Sequence, residues 1–104
     1  VVSKNDFDFN GQISRTHSFD AGAAWENLAL EAASRGIVAH AMEGFDYGKA
    51  HAVLGIPSGY SVEAMVAVGK RGKTQDLPPE LQEREAPSPR KQLNEIVMEG
   101  SFKA

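Results

Sequence analysis

Between Phe19 and Arg35 the chain runs through good helix formers without a proline, and it is apolar on more than one side. Ala21, Ala24, Leu28 and Ala32 make one stripe; Trp25, Ala29 and Ala33 make a neighbouring one. A helix patterned this way is buried on several sides, and its many alanines let another helix approach closely. Its place is therefore the centre of a domain or a subunit interface, and a chain of 104 residues can hardly surround it alone. Ser18 or Asp20 is expected to cap its start. Gly22 is its weak position, and Gly36 is expected to end it in the left-handed conformation that glycine adopts cheaply.

The flanking segments predict an alternation of strands and helices. Val1-Val2 reads as the end of a strand, and the polar stretch from Phe7 to Ser18 as a surface loop with a turn at Asn10-Gly11. Ile37 to Ala41 suits a short buried strand, and Asp46 to Leu54 a helix that stops at Gly55. Ser61 to Val68 is nearly continuous in apolar residues, as in an inner strand covered on both faces. Gly69 to Leu77 reads as loop, Pro78-Pro79 opens one short helix, and Pro87 with Pro89 prevents regular structure before Arg90. Leu93, Ile96 and Val97 stand at helical spacing in a tail expected to dock through them.

Composition removes several classes of function. A net charge of -3 offers no basic surface on which to displace the counterions of a nucleic acid. No apolar run approaches the roughly 20 residues of a membrane span. Without cysteine there are neither disulfides nor thiolate metal sites, which suits a reducing compartment, and cytoplasm is the expected location. The start, Val1-Val2-Ser3-Lys4, has no signal-peptide pattern and reads as a chain entered partway along.

Motifs for residue-borne chemistry are weak. Gly72-Lys73-Thr74 follows a strand, as in a phosphate-cradling loop, but the required first glycine falls at Ala67 and Pro78-Pro79 comes too soon for the helix that should follow. His17, His40 and His51 form no local pair on one helix face, so no metal site is expected; His40 reads as a half-buried, hydrogen-bonded strand residue and His51 as a helix-surface one. The carboxylates are scattered rather than paired. Two features fit a bound cofactor. Met42-Glu43-Gly44 lies where a strand ends and a helix begins, so that backbone can come close to a ligand. Lys70, Arg71, Lys73 and Arg90-Lys91 form a basic set in an acidic chain, and arginine suits phosphate. The plainer reading of both is a turn and solvated charge.

Four ordered motifs change that balance. Asp20 to Leu30 (DAGAAWENLAL), Gly36 to Asp46 (GIVAHAMEGFD), Leu54 to Tyr60 (LGIPSGY) and Arg90-Lys91-Gln92-Leu93 together resemble the C-terminal half of the nitroreductase family. The resemblance covers nearly all of residues 18 to 100 and implies part of an α+β fold, a mixed sheet with surrounding helices and a central dimerisation helix. Residues 1 to 104 would then be the C-terminal portion of one domain. It also implies FMN held at the interface of a homodimer, with NAD(P)H and a small-molecule electron acceptor as reaction partners. By motif, the N–H of Glu43 would face the reactive N5 of the flavin, Gly44 would lie beside the ring, Met42 would flank it, and Arg90 would grip the phosphate with Lys70 or Arg71. No side chain here is implied as acid, base or metal ligand. Two departures stand out: Ser88 occupies a position where some members have lysine, and the family's basic Arg/Ser segment, which also binds the phosphate and ribityl chain, has no counterpart. The alternative function is a non-catalytic half that needs further polypeptide to bind FMN.

Overall fold

The computed structural model describes residues 1–102 and divides the chain into two compact units, Val1–Arg71 and Gly72 onward. The first unit is built on two short antiparallel ladders. Strand β1 (Val2–Lys4) pairs with β3 (Tyr60–Val62), placing Val2 opposite Val62 and Lys4 opposite Tyr60. Strand β2 (Val38–Met42) pairs with β4 (Met65–Gly69), Val38 opposite Gly69 and Met42 opposite Met65. Between the strands lie helices α1 (His17–Ser34) and α2 (Tyr47–Val53).

Helix α1 packs on β2 and β1 through one face. His17, Ala21, Trp25 and Ala29 on that face are half-buried and Ala32 is buried, the spacing expected of one side of a helix. Phe19, Leu28 and Leu30 are exposed, so the burial on several sides that the sequence predicts is not achieved within the described residues. The helix also starts earlier than expected. Thr16 is the N-cap and makes no side-chain capping bond; Asp20 accepts from the Thr16 hydroxyl at 3.4 Å, and Ser18 donates to Glu63 at 2.8 Å. Neither Ser18 nor Asp20 caps the helix, because both lie within its first turn and Ser18 is held by a residue distant in sequence.

Helix ends follow the sequence closely. Gly36 has φ +67°, and the N–H groups of Gly36 and Ile37 donate to the carbonyls of Ala33 (3.0 Å) and Ala32 (2.9 Å). This is a Schellman termination, which turns the chain from α1 directly into β2. Gly55 ends α2 in the same way, with φ +61° and an Ile56 N–H bond to His51 at 3.0 Å.

The Ser61–Val68 stretch is two strands rather than one. It breaks at Glu63-Ala64, where Glu63 N–H donates to the Val1 carbonyl and the Val1 ammonium donates to the Ala64 carbonyl. The first half thus finishes the β1 ladder and the second joins β2. Covering on both faces is not seen either: Ala39, Ala41 and Val66 are half-buried, but Val38, His40, Met42, Met65 and Ala67 share an open face. His40 is therefore exposed and its ring has no hydrogen bond among the described residues, contrary to expectation. His51 departs the other way. It is half-buried, with Nε2 3.3 Å from the Tyr60 carbonyl, and ties α2 to β3.

In the second unit, a 3₁₀ turn at Thr74–Asp76 precedes α3 (Pro79–Gln82), another 3₁₀ turn at Glu83–Glu85, and α4 (Leu93–Ile96). Pro79 sits in the first turn of α3, where its missing N–H is harmless. Leu93, Ile96, Val97 and Phe102 are exposed, so the expected docking of the tail is not made among the described residues.

Glycines give a direct test of this local reading. A side chain at Gly22, mid-helix, meets nothing within 4 Å, so Gly22→Ala should raise stability by about 0.5–1 kcal/mol. Gly36→Ala should lower it by about 1 kcal/mol, because φ is positive there. Urea unfolding of the two variants beside the wild type checks both signs.

Candidate functional site

Met42, Glu43 and Gly44 lie where β2 ends, just ahead of α2. Met42 shares the open face of the ladder with Met65, directly opposite it. The Glu43 carbonyl accepts a bond from the Phe45 N–H, which closes a tight three-residue turn centred on Gly44. Within the described residues the N–H groups of Glu43 and Gly44 donate to nothing. Gly44 does not have a positive φ, and a Cβ built on it meets no atom within 4 Å. Nothing in the chain itself requires glycine there, whereas Gly36 and Gly55 are required by their backbone angles.

The turn is fixed on its far side by the start of α2. Asp46 is the N-cap, its Oδ1 accepting from the Lys49 N–H at 2.8 Å, and the Phe45 and Tyr47 rings lie 4.2 Å apart between centroids. Beside the turn, Phe45, Ala50, Val53, Leu54 and Met65 line an open groove of about 270 Å³ with Asp46 and Lys49 at its rim. Its walls are mostly apolar. This groove escapes sequence reasoning, since the helical spacing of Ala50, Val53 and Leu54 reads as an ordinary core-facing stripe.

Lys70 and Arg71 are not at that turn. Lys70 and Arg71 follow Gly69, which pairs with Val38, so they stand beyond the opposite end of the β2–β4 ladder from Glu43 and Gly44. Four residue steps separate the two ends, roughly 13 Å of strand. Only an extended ligand running along the ladder would meet both. Arg90 belongs to the second unit, where its Nη1 donates to the Ser88 hydroxyl at 2.9 Å. Ser88 thus holds the arginine rather than supplying a second charge. Among the described residues no group of three or more His, Asp or Glu is arranged to hold a metal ion, and no helix is long and apolar enough to cross a membrane.

These observations separate stability from ligand contact at neighbouring positions. Asp46→Ala should cost about 1 kcal/mol by removing the cap of α2. Gly44→Ala should leave the unfolding midpoint unchanged within the error of a urea titration, since its Cβ enters open space.

Comparison with known proteins bears on the family of the chain. The model of the nitroreductase family matches residues 3–70. An uncharacterized 15.4 kDa protein of Mycolicibacterium smegmatis, from the ask 5' region, is 38% identical over 92 residues, spanning 88% of this chain and 62% of that one. A crystal structure described as an oxidoreductase containing FMN superposes with a TM-score of 0.90 at 41% identity, covering 98% of this chain and 53% of that one. The chain therefore spans less than two thirds of the length of either relative. Its α+β arrangement of small antiparallel ladders and helices matches part of the fold of that oxidoreductase. By its sequence and its structure, the chain belongs to the nitroreductase family.

Proposed function

We propose that this chain forms one wall of an FMN site in an oxidoreductase that uses NAD(P)H to reduce nitroaromatic, quinone or related acceptors. The observation that carries the reading is the turn at Glu43-Gly44: two N–H groups without partners among the described residues, beside a glycine whose Cβ would occupy empty space. That combination fits close backbone approach to a flat ligand, and the FMN of the superposing oxidoreductase supplies a ligand of that kind. When bound, FMN provides the hydride and electron chemistry.

The chain's own part is binding and orientation. The Glu43 N–H donates toward the ring edge and opposes negative charge that develops there. Met42 flanks the ring from the open face of the ladder. Arg90 neutralises phosphate with a rigid fork of donors, while Lys70 and Arg71 serve a ligand extended along the strands. No proton need pass through a side chain of this chain. Helix α1, apolar on the side turned away from the ladders, is proposed to pack at a homodimer interface.

A second reading rests on burial. Ala32 is the one buried apolar residue among those described, and Phe19, Leu30, Val53 and Leu54 are well exposed. A chain with so little core is then a half that binds FMN only with further polypeptide. The visible spectrum after adding FMN to the purified chain separates the two: flavin retained through gel filtration supports the first, and a colourless protein supports the second.

In a flavin-loaded protein, Gly44→Val should weaken FMN binding far more than Glu43→Gln, because the contact is made by backbone. Arg90→Ala should weaken it by about 2 kcal/mol, the loss of a charge-assisted bond. Fluorescence titration of FMN measures all three; a severe Glu43→Gln defect with Gly44→Val intact would reject the backbone contact.

A further inference from the structure

Ser3, His17, Ser18 and Glu63 come from three separate parts of the first unit and meet around one carboxylate oxygen. Glu63 Oε1 accepts from the Ser3 hydroxyl at 2.5 Å and the Ser18 hydroxyl at 2.8 Å, and lies 3.5 Å from His17 Nδ1. The Ser3 oxygen is also 2.8 Å from His17 Nδ1. A serine hydroxyl carries one proton, and that of Ser3 is directed to Glu63, so the bond to the imidazole has Nδ1–H as its donor. The cluster thereby fixes the tautomer of neutral His17. This is not a nucleophile–base–acid relay, since serine and carboxylate both address the same ring nitrogen.

What the cluster does follows from what lies between its members. Ser3 and His17 bracket a short hairpin-like excursion. Asp6 bridges Ile13, Phe7 N–H donates to Gln12 at 2.9 Å, Ser14 N–H donates to Asn5 at 2.9 Å, and Gly11 turns the chain at φ +67°. Its tip is apolar: the Phe7 and Phe9 rings lie 5.4 Å apart, and Phe9 and Ile13 are 81% and 78% exposed. Little apolar burial holds such a tip in place. Its base is buried, with Ser3 and Ser14 the two buried polar residues among those described.

We propose that Ser3, His17, Ser18 and Glu63 form a clasp that closes the base of the 5–14 hairpin, so that the order of its aromatic tip is governed by one carboxylate. Glu63 is a positioning residue in this device. His17 is the charged or titratable group that acts on it, while in the neighbouring segments Lys4 pairs with Asp6 and Asp8, Asp20 accepts from Thr16, and the Val1 ammonium donates to Ala64. The Ser3 bond, opposed by partial burial and assisted by Ser18 and His17, holds the Glu63 carboxyl below its ordinary value of 4.5. A carboxyl lowered on folding stabilises the folded form above that value, and the contribution is lost as pH falls through the folded value.

Amide hydrogen exchange on the full chain tests the clasp. In E63A, protection of the Phe7, Gly11 and Ser14 amides should fall about tenfold, the scale of a charge-assisted hydrogen bond, with the β2–β4 ladder and Ile37 unchanged. In E63Q, which keeps the shape and an acceptor but not the charge, the same amides should lose protection to a smaller degree. Wild-type hairpin protection should decline as pH falls below the ordinary carboxyl value. Lys4 also pairs with Asp6 and Asp8 within this segment, so the share due to the clasp is the difference between wild type and E63Q. Nitrogen-15 shifts of His17 at alkaline pH should report the Nδ1–H tautomer. Should E63A fail to fold, E63Q decides: wild-type protection of the hairpin in E63Q overturns the proposal. So does a loss spread evenly over the ladder and α1, or an Nε2–H tautomer for His17.

Discussion

Antiparallel pairing of β2 with β4 is the constraint on which the first unit depends. Five residue pairs, from Val38–Gly69 to Met42–Met65, hold segments more than twenty residues apart in sequence, and α1 rests on the face of that ladder formed by Ala39, Ala41 and Val66. Burial does little of this within the chain, because Ala32 is the one buried apolar residue among those described. The backbone bonds of the ladder and the two Schellman turns define the geometry instead. They also fix the site, since the register that puts Met42 opposite Met65 places Glu43 and Gly44 at one end of the ladder and Lys70 and Arg71 at the other.

Features set by neighbouring residues were legible in the sequence. Helix α1 up to Gly36, helix α2 between Asp46 and Gly55, the Asn10-Gly11 turn and the proline start of α3 all depend on contacts spanning a few residues. Features set by distant partners were not. Ser61 to Val68 reads as one strand because its apolar run is continuous, yet Glu63-Ala64 divides it between two ladders. Ser18 looks like a cap because it precedes a helical pattern, but the Glu63 carboxylate takes its hydroxyl. His40 and His51 exchange environments for the same reason: which strand face or helix face is covered is decided by tertiary packing.

The candidate site was legible to a different extent. Met42-Glu43-Gly44 was located by its place between strand and helix and by its resemblance to a family pattern, and the structure adds that Gly44 is not needed by the fold of this chain. The basic set looked like one group because composition has no direction. Lys70 and Arg71 stand beyond the far end of a ladder, and Arg90, in the second unit, is held by Ser88. The groove beside the turn was illegible, because an apolar helix face gives no sign of whether it will be covered.

Helix α1 shows how these two levels are related. Its inward face, from His17 through Trp25 to Ala32, is accounted for by the ladders of this chain, while Phe19, Leu28 and Leu30 are not. Apolar character beyond one face is more than packing on the two ladders uses, since exposed leucine and phenylalanine add nothing to solubility. Gly44 poses the same problem at one residue: its identity has no cause inside the chain. Under the proposed function both would be met by surfaces outside it, the helix by a protein neighbour and the glycine by a ligand. The two relatives, each considerably longer than the segment they share with this chain, are consistent with that division of causes.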